Sequence, residues 1–225
     1  MELSNEQLIQ IDNYVSSCGI KYYDVRTEIV DHFANILEEK LVKNPDLDFK
    51  KEIITIHRNF SDKGFSSLLE EKRKSVEKKF YKLSLKHLLS FFKLPRIIIS
   101  SALFYILLQV MSLFKNKENF FFVVYFFAIL LVVRIFYQNW RYKRKNRTSF
   151  LVLNKTENFL QIINFVFILF NSMTNFRSEQ SFVNTTHNYI QLGFFVILLL
   201  FYWSGEYVFY QNKIEIQKQY PNVIL

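Results

Sequence analysis

Polar and apolar positions divide this chain into two parts of different character. In residues 1–84, apolar residues recur every three or four positions among charged ones, as on amphipathic helices with one buried face. From residue 94 onward, long apolar runs alternate with short polar segments. No segment alternates convincingly with a period of two, as a half-buried strand does. The pattern predicts an all-α protein, with a small cytoplasmic helical domain followed by a four-helix transmembrane bundle.

Helix signals within residues 1–84 predict four helices. Ser4 is the expected N-cap of the first helix, Gln7 completes a capping box with it, and Gly19 ends the helix. Asp24 and Asp48 are the expected N-caps of the second and third helices. The second helix is expected to bury a single stripe, formed by Ile29, Phe33, Ile36, Leu37 and Leu41.

Residues 85–93 form an amphipathic linker between the domain and the apolar half. The longer stretch from Lys72 to Arg96 holds nine cations, with Glu77 as its single anion. This composition is typical of a helix lying at the headgroup level of an anionic inner leaflet. A plain linker helix leading into the membrane fits equally well, and both interpretations stay open.

Four apolar runs in residues 94–210 are each about long enough to cross a bilayer, which takes roughly 20 residues. The predicted spans are about 94–114, 120–140, 156–176 and 189–210, followed by a cytoplasmic tail at 211–225. The third span is the most polar, because Lys155 and Glu157 interrupt its start and because it carries Gln161, Asn164 and Asn171. We therefore expect it to pack inside the bundle, where amides bond between helices.

The stretch from Trp140 to Arg147 is read as a short basic loop between the second and third spans. Short loops rich in Lys and Arg stay on the cytoplasmic side of a membrane. The loop predicts that both termini are cytoplasmic, and the acidic, polar start of the chain does not resemble a cleavable signal. The topology-determining residues are Arg141, Lys143, Arg144, Lys145 and Arg147.

Composition excludes several classes of function. Residues 1–93 carry 16 Lys and Arg against 15 Asp and Glu, so most of the formal net charge of +9 lies in the membrane half. Positive-inside bias accounts for that excess, and no nucleic-acid partner is expected. With Cys18 as the single cysteine and only 4 Gly, a disulfide, a cysteine metal cluster and a Gly-rich phosphate loop are not expected. No catalytic motif is found, so we expect neither an enzyme nor a cofactor.

Two ionisable residues lie deep within predicted spans, namely Arg134 in the second and Glu206 in the fourth. Such residues are candidates for function because an unpaired charge in lipid is costly. They lie at similar depth in the inner leaflet, so an ion or proton site, a structural ion pair and separate snorkelling to the headgroups all stay open. Glu28 and His32 are one helical turn apart, as metal ligands would be, but no His-x-x-x-His or Glu-x-x-His partner is nearby, so no metal site is predicted.

Residues 5–65 resemble the HAAS-type, or permease-prefix, domain at the N-termini of bacterial membrane proteins. The resemblance is carried by the run from Tyr23 to Phe33, including Glu28, Asp31 and His32, then by residues 36–39, 48–54 and Phe60. In that family an acidic helix with a late His precedes a short loop and a helix that ends in a Gly-Asp-Pro-like turn. Here the sequence at that turn is Phe-Ser-Asp-Lys-Gly, with the Gly displaced and the Pro missing.

The resemblance implies a cytoplasmic interaction module without catalytic residues, in a family paired with PadR-like regulators or fused to permease-like parts. The chain is then expected to be a non-enzymatic, multi-pass protein of the bacterial inner membrane that docks a regulator, another subunit or a second copy of itself. The alternative is a transporter, or an accessory subunit of a permease, that works as an oligomer. The docking candidates are Glu28, Asp31, His32, Glu38 and Glu39.

Overall fold

The structure, a computed structural model, describes residues 2–60, 65–146, 148–176 and 182–221. Its elements are helical, and the one extended pairing within these residues is an isolated parallel bridge between Tyr22 and Ser149. The all-α prediction is therefore confirmed. In chain order the elements are α1 (Asn5–Ser17), α2 (Tyr23–Lys43), α3 (Phe49–Phe60), α4 (Phe65–Ser90), α5 (Ile97–Leu113), α6 (Lys117–Lys145), a 3₁₀ turn (Leu151–Leu153), α7 (Lys155–Asn158), α8 (Leu160–Phe176) and α9 (Thr185–Gln219).

The helices form two compact units. The first, here the N-terminal unit, comprises Met1–Glu77 together with Asn146–Asn154. The second, here the apolar unit, comprises Lys78–Lys145 together with Lys155–Leu225. A segment far along the chain thus belongs to the unit that the first helices build.

Local capping in the N-terminal unit follows the sequence closely. The Ser4 side chain accepts from the Gln7 amide while the Gln7 side chain accepts from the Ser4 amide, so the predicted capping box is confirmed. Gly19 has φ +92°, a conformation that side chains with a Cβ rarely adopt, and it ends α1 as predicted. Asp48 accepts from the Lys51 amide at the start of α3.

The core of the N-terminal unit lies between α1, α2 and α3. The predicted stripe on α2 is buried, apart from Ile36, which packs partly exposed at its edge. Opposite it, α1 contributes Ile11 and Val15, and α3 contributes Ile53 and Ile56. Leu151 is 1% exposed in the same core, although about two fifths of the chain separates it from α3.

Asp24 holds this distant segment in place. Its Oδ1 accepts from the Leu151 amide at 2.9 Å and from the Val25 amide at 3.1 Å, and its Oδ2 accepts from the Val152 amide at 3.3 Å. The Tyr22 hydroxyl accepts from Asn154 Nδ2 at 2.9 Å. Asp24 was predicted to cap α2, but Tyr22 occupies that position without a side-chain cap, so the prediction was wrong. Burial raises the pKa of the Asp24 carboxyl, and the backbone donors act in the opposite direction.

The apolar unit packs the second half of α4 with α5 to α9. Its core is rich in phenylalanine and includes Phe80, Phe120, Phe121 and Phe159. Helices α6 and α9, of 29 and 35 residues, are long and apolar enough to cross a membrane, whereas α5 and α8 are shorter apolar helices. Two candidate spans are therefore established within the described residues, fewer than the four in the predicted bundle.

Several element bounds differ from the sequence interpretation. The basic stretch predicted as a loop is the last turn of α6, which continues to Lys145, where cations suit the negative end of a helix dipole. The region of the third predicted span is divided at Phe159 into α7 and α8, and α9 extends through most of the predicted tail. Helix α4 continues to Ser90, through most of the predicted linker. Gly64 and Arg147 lie outside the described residues.

Replacing Asp24 should loosen the segment from residue 150 to 153. In Asp24→Asn, an amide NH₂ would face a backbone N–H where a carboxylate oxygen now accepts. The loss of such a bond costs about 1–3 kcal/mol, so exchange of the Val152 amide should be faster on the order of tenfold. Hydrogen–deuterium exchange of the full chain in detergent measures this effect. Asp46→Asn is the matched control at an exposed turn, and equal exchange of the segment in both variants would contradict the assigned role.

Candidate functional site

Among the described residues of the apolar unit, the most deeply buried charge belongs to Lys155, the first residue of α7. Its side chain is 5% exposed, and its Nζ lies 2.7 Å from both carboxylate oxygens of Glu206 on α9. The Tyr202 hydroxyl donates to Glu206 Oε1 at 2.7 Å, and Lys155 Nζ also donates to Gln138 on α6. The aromatic faces of Phe159 and Phe209 lie 5.3 and 4.8 Å from the ammonium. We call these polar groups, Gln138, Lys155, Tyr202 and Glu206, the buried polar cluster.

Neighbouring residues fix the position of α7, and hence of the lysine. Asn139 Oδ1 accepts from the Lys155 amide at 3.1 Å, and Asn139 Nδ2 donates to Thr156 Oγ1 at 2.6 Å. This single amide therefore caps α7 from within α6. On α9, Gly205 leaves room for the Phe159 ring, because a Cβ there would come within 3.0 Å of it. Both features hold α7 against the two long helices.

The geometry of the buried polar cluster indicates a structural ion pair whose polar groups are bonded within the protein. Both carboxylate oxygens are occupied by charged or hydroxyl donors, and the ammonium has an anion, an amide oxygen and two aromatic faces. A buried pair is tolerable only when its remaining polar groups are satisfied in this way. No grouping of three or more potential metal ligands occurs among the residues that the structure describes.

The two predicted intramembrane charges do not form an ion pair with each other within the described residues. Glu206 pairs with Lys155, whereas Arg134 is exposed on α6 and makes no ion pair with Glu206 in the described part of the chain. Lys155 had been read as an interruption before a span. One signal could have identified it: a lysine beside an apolar run needs an anion, and Glu206 is the carboxylate that lies deep within a predicted span, whereas Glu157 lies at the very start of one.

Three of the five docking candidates lie together on the N-terminal unit. Glu28, Asp31 and His32 line a cavity of about 410 Å³ on α2, which we call the α2 cleft, with Ile29 and Leu68 as its apolar lining. Glu28 is bound by Lys72 Nζ from α4. Asp31 is exposed and makes no ion pair within the described residues. The cleft is therefore a mixed surface, with an apolar lining and the exposed carboxylate of Asp31.

The two remaining candidates do not line this cleft. Glu38 Oε1 accepts from the Leu3 amide at 3.0 Å, so this carboxylate fastens the start of the chain onto α2. Glu39 is exposed on the same helix. The basic residues Arg141, Lys143, Arg144 and Lys145 are all exposed at the end of α6, where Arg144 lies 5.3 Å above the Trp140 ring.

Comparison with protein-family models, with curated proteins and with solved structures finds no match to this chain. The resemblance of residues 5–65 to the HAAS-type domain therefore stays a prediction. Any functional inference has to come from the geometry of the chain itself.

Removing the carboxylate of the buried pair should destabilise the apolar unit. Glu206→Gln leaves a buried ammonium without its anion. Removing one partner of a buried ion pair lowers the free energy of unfolding by about 3–5 kcal/mol. The double variant Lys155→Met, Glu206→Gln removes both charges and should recover most of the loss. Thermal unfolding of the purified chain in detergent compares these variants. Glu215→Gln, at an exposed position of α9, is the control, and a Glu206→Gln variant as stable as that control would refute the pairing role.

Proposed function

We propose that this chain is a non-enzymatic, multi-pass protein of the bacterial inner membrane that docks a partner protein through the α2 cleft. Four apolar helices, α5, α6, α8 and α9, form the membrane anchor. The N-terminal unit lies in the cytoplasm, together with both termini. The partner is a regulator, another subunit or a second copy of the chain.

The surface of the apolar unit supports the membrane placement. Large apolar side chains are exposed along several helices, among them Ile98, Phe126, Ile168 and Trp203, each more than half exposed. Soluble monomers rarely expose large contiguous apolar patches, whereas lipid solvates such a surface. Aromatic residues are also exposed near the basic end of α6, as in the aromatic belt of a membrane interface.

The observation that carries the docking proposal is the α2 cleft. Glu28, Asp31 and His32 were selected from the sequence for docking, and they line one cavity with an apolar lining. Apolar contact at the centre with polar groups around it is the usual composition of a protein interface. Because Asp31 supplies an exposed carboxylate, the complementary partner segment carries a Lys or Arg beside an apolar side chain.

Transport is the less favoured alternative. Glu206 is engaged by Lys155 and Tyr202, and these contacts compete with the binding of a passing ion or proton. A cavity of about 880 Å³ in the apolar unit is lined by residues such as Gln109, Lys115 and Asn188, and its lining includes neither partner of the buried pair. Transport through this chain would therefore need a path formed by an oligomer.

The single cysteine provides a direct test of topology. Cys18 is exposed in the N-terminal unit, so a membrane-impermeant maleimide should label it in lysed but not in intact spheroplasts. The matched control combines Cys18→Ser with Asn116→Cys, which places the thiol in the predicted outer turn and should be labelled in intact spheroplasts. Equal labelling of Cys18 before and after lysis would contradict a cytoplasmic N-terminal unit.

Charge reversal in the cleft tests the docking surface. A photo-crosslinking amino acid at Asn35, which lines the cleft, should capture a discrete partner in native membranes. Asp31→Lys should abolish that capture because it places a cation where the partner's basic group binds. Glu39→Lys makes the same change of charge on the same helix outside the cleft and should leave capture intact.

The outcomes of this experiment separate the proposals. Capture that depends on Asp31 and not on Glu39 supports docking through the cleft, and the captured protein identifies the partner class. Capture that is equal in the two variants refutes the α2 cleft as the docking site. Loss in both variants would place the interface along the whole acidic face of α2.

A further inference from the structure

Arg96, at the start of α5, is an exposed cation that neutral groups hold in place. Its Nη1 donates to Ser90 Oγ at 2.7 Å and lies 3.4 Å from His87 Nε2, while the guanidinium lies 5.9 Å above the Phe91 ring. His87 Nδ1 is 3.2 Å from Ser204 Oγ. Arg96 can donate a hydrogen bond to Nε2 only when that nitrogen is unprotonated. Burial lowers the pKa of His87, and the charge of Arg96 lowers it further, so both favour the neutral ring.

Among the described residues, no carboxylate forms an ion pair with this guanidinium. Arg96 makes no ion pair within the described residues, and the sequence holds no Asp or Glu between Glu77 and Glu118. Its neighbour Lys93 is also exposed. A guanidinium has five donors in a planar fork, so after its contacts with Ser90 and His87 it retains donors for an external anion. The turn at 91–96 is therefore a preorganised cationic site, and the described part of the chain supplies no counter-ion to it.

An apolar groove begins at the same turn. Phe92 and Ile97, which flank Lys93 and Arg96 in the chain, line a groove of about 360 Å³ between α5 and α9. Small residues open it, since Ser101 and Gly193 are part of its lining and a Cβ at Gly193 would meet nothing within 4 Å. Ser100 Oγ donates to the carbonyl oxygens of Phe91 and Ile97, both at 3.0 Å, which fixes the turn against α5.

We infer that this turn and groove form a binding site for an anionic phospholipid. Arg96 and Lys93 bind the phosphodiester, and one acyl chain lies in the groove between α5 and α9. Guanidinium groups bind phosphate oxygens with two parallel hydrogen bonds. The combination of an unneutralised cation and an adjoining apolar groove matches a molecule that has a negative headgroup and a long apolar chain.

This inference rests on the membrane placement proposed above and adds a specific lipid site to it. The placement is consistent with the site, because the site lies at the start of α5, at the end of the apolar unit that is proposed to face the cytoplasm. Labelling of Cys18 tests the placement independently. A chain with the proposed topology but no preference among lipids would refute the site and leave the topology intact.

Lipid binding to the purified full chain tests the headgroup part of the site. Native mass spectrometry in a non-ionic detergent would compare phosphatidylglycerol with phosphatidylcholine of identical acyl chains. The chain should retain phosphatidylglycerol preferentially, and Arg96→Gln should lower that retention about tenfold, as for the loss of a charged hydrogen-bond pair. Lys115→Gln removes an exposed cation at the other end of α5 and should leave retention unchanged.

Filling the groove tests the acyl-chain part separately. Gly193→Leu should lower phosphatidylglycerol retention because its side chain would occupy the space for the lipid chain. Gly193→Ala adds only a methyl group and should bind like the unmodified chain. Circular dichroism and thermal unfolding verify that all four variants keep the fold.

Three results would overturn the inference. One is equal retention of the two phospholipids by the unmodified chain, and another is equal retention by Arg96→Gln and Lys115→Gln. The third is a pair of observations: glycerol phosphate displaces phosphatidylglycerol completely, and Gly193→Leu retains phosphatidylglycerol as well as the unmodified chain does. Together they would indicate a phosphate site without a place for an acyl chain. The complete site is supported if Arg96→Gln and Gly193→Leu both lose retention of phosphatidylglycerol while Lys115→Gln and Gly193→Ala keep it.

Discussion

The pairing of Lys155 with Glu206 is the constraint on which the apolar unit depends. A lysine that is 5% exposed has lost nearly all its hydration, and that loss is tolerable only beside an anion with ordered donors and acceptors. The pair therefore fixes more than one contact. It sets the rotation of α9 that directs Glu206 inward. It also sets the position of α7, which Asn139 caps and which packs close to α9 because Gly205 leaves room for Phe159. Apolar helix faces alone would allow several such arrangements, because one phenylalanine face packs much like another.

A second constraint lies next to the first along the chain. Residues 149–152 are fastened to the N-terminal unit by Asp24 and by the burial of Leu151, and Asn154 bonds to Tyr22. The next residue is Lys155, with which the apolar unit resumes. One short stretch therefore supplies the amides that bond to the Asp24 carboxylate in one unit and the lysine that pairs with Glu206 in the other.

Patterning predicted the helices and their local caps, because the capping box at Ser4 and the apolar stripe on α2 depend on residues three or four apart. It also grouped Glu28, Asp31 and His32, which share a helix face. Contacts over a long sequence separation were not predictable in this way. Asp24 was assigned to its own helix although its partners lie more than 120 residues away. Glu206 was considered with Arg134 because both lie in long apolar runs, whereas its partner Lys155 precedes its own run. Polar groups can bond across the whole fold, and periodicity describes only neighbours.

The distribution of charge links the docking and lipid proposals. The cations of the sequence from Lys78 to Arg96 have no intervening acid, whereas the α2 cleft presents the carboxylate of Asp31. An anionic membrane surface would attract the first and repel the second, since such a surface acts within about a Debye length, near 10 Å at moderate salt. Electrostatics alone would then draw the basic turn to the headgroups, whereas the lipid charge does not attract the cleft. A protein that recruits a partner to the membrane needs both tendencies, because the same lipid charge that anchors it would otherwise compete with its acidic docking surface for basic ligands.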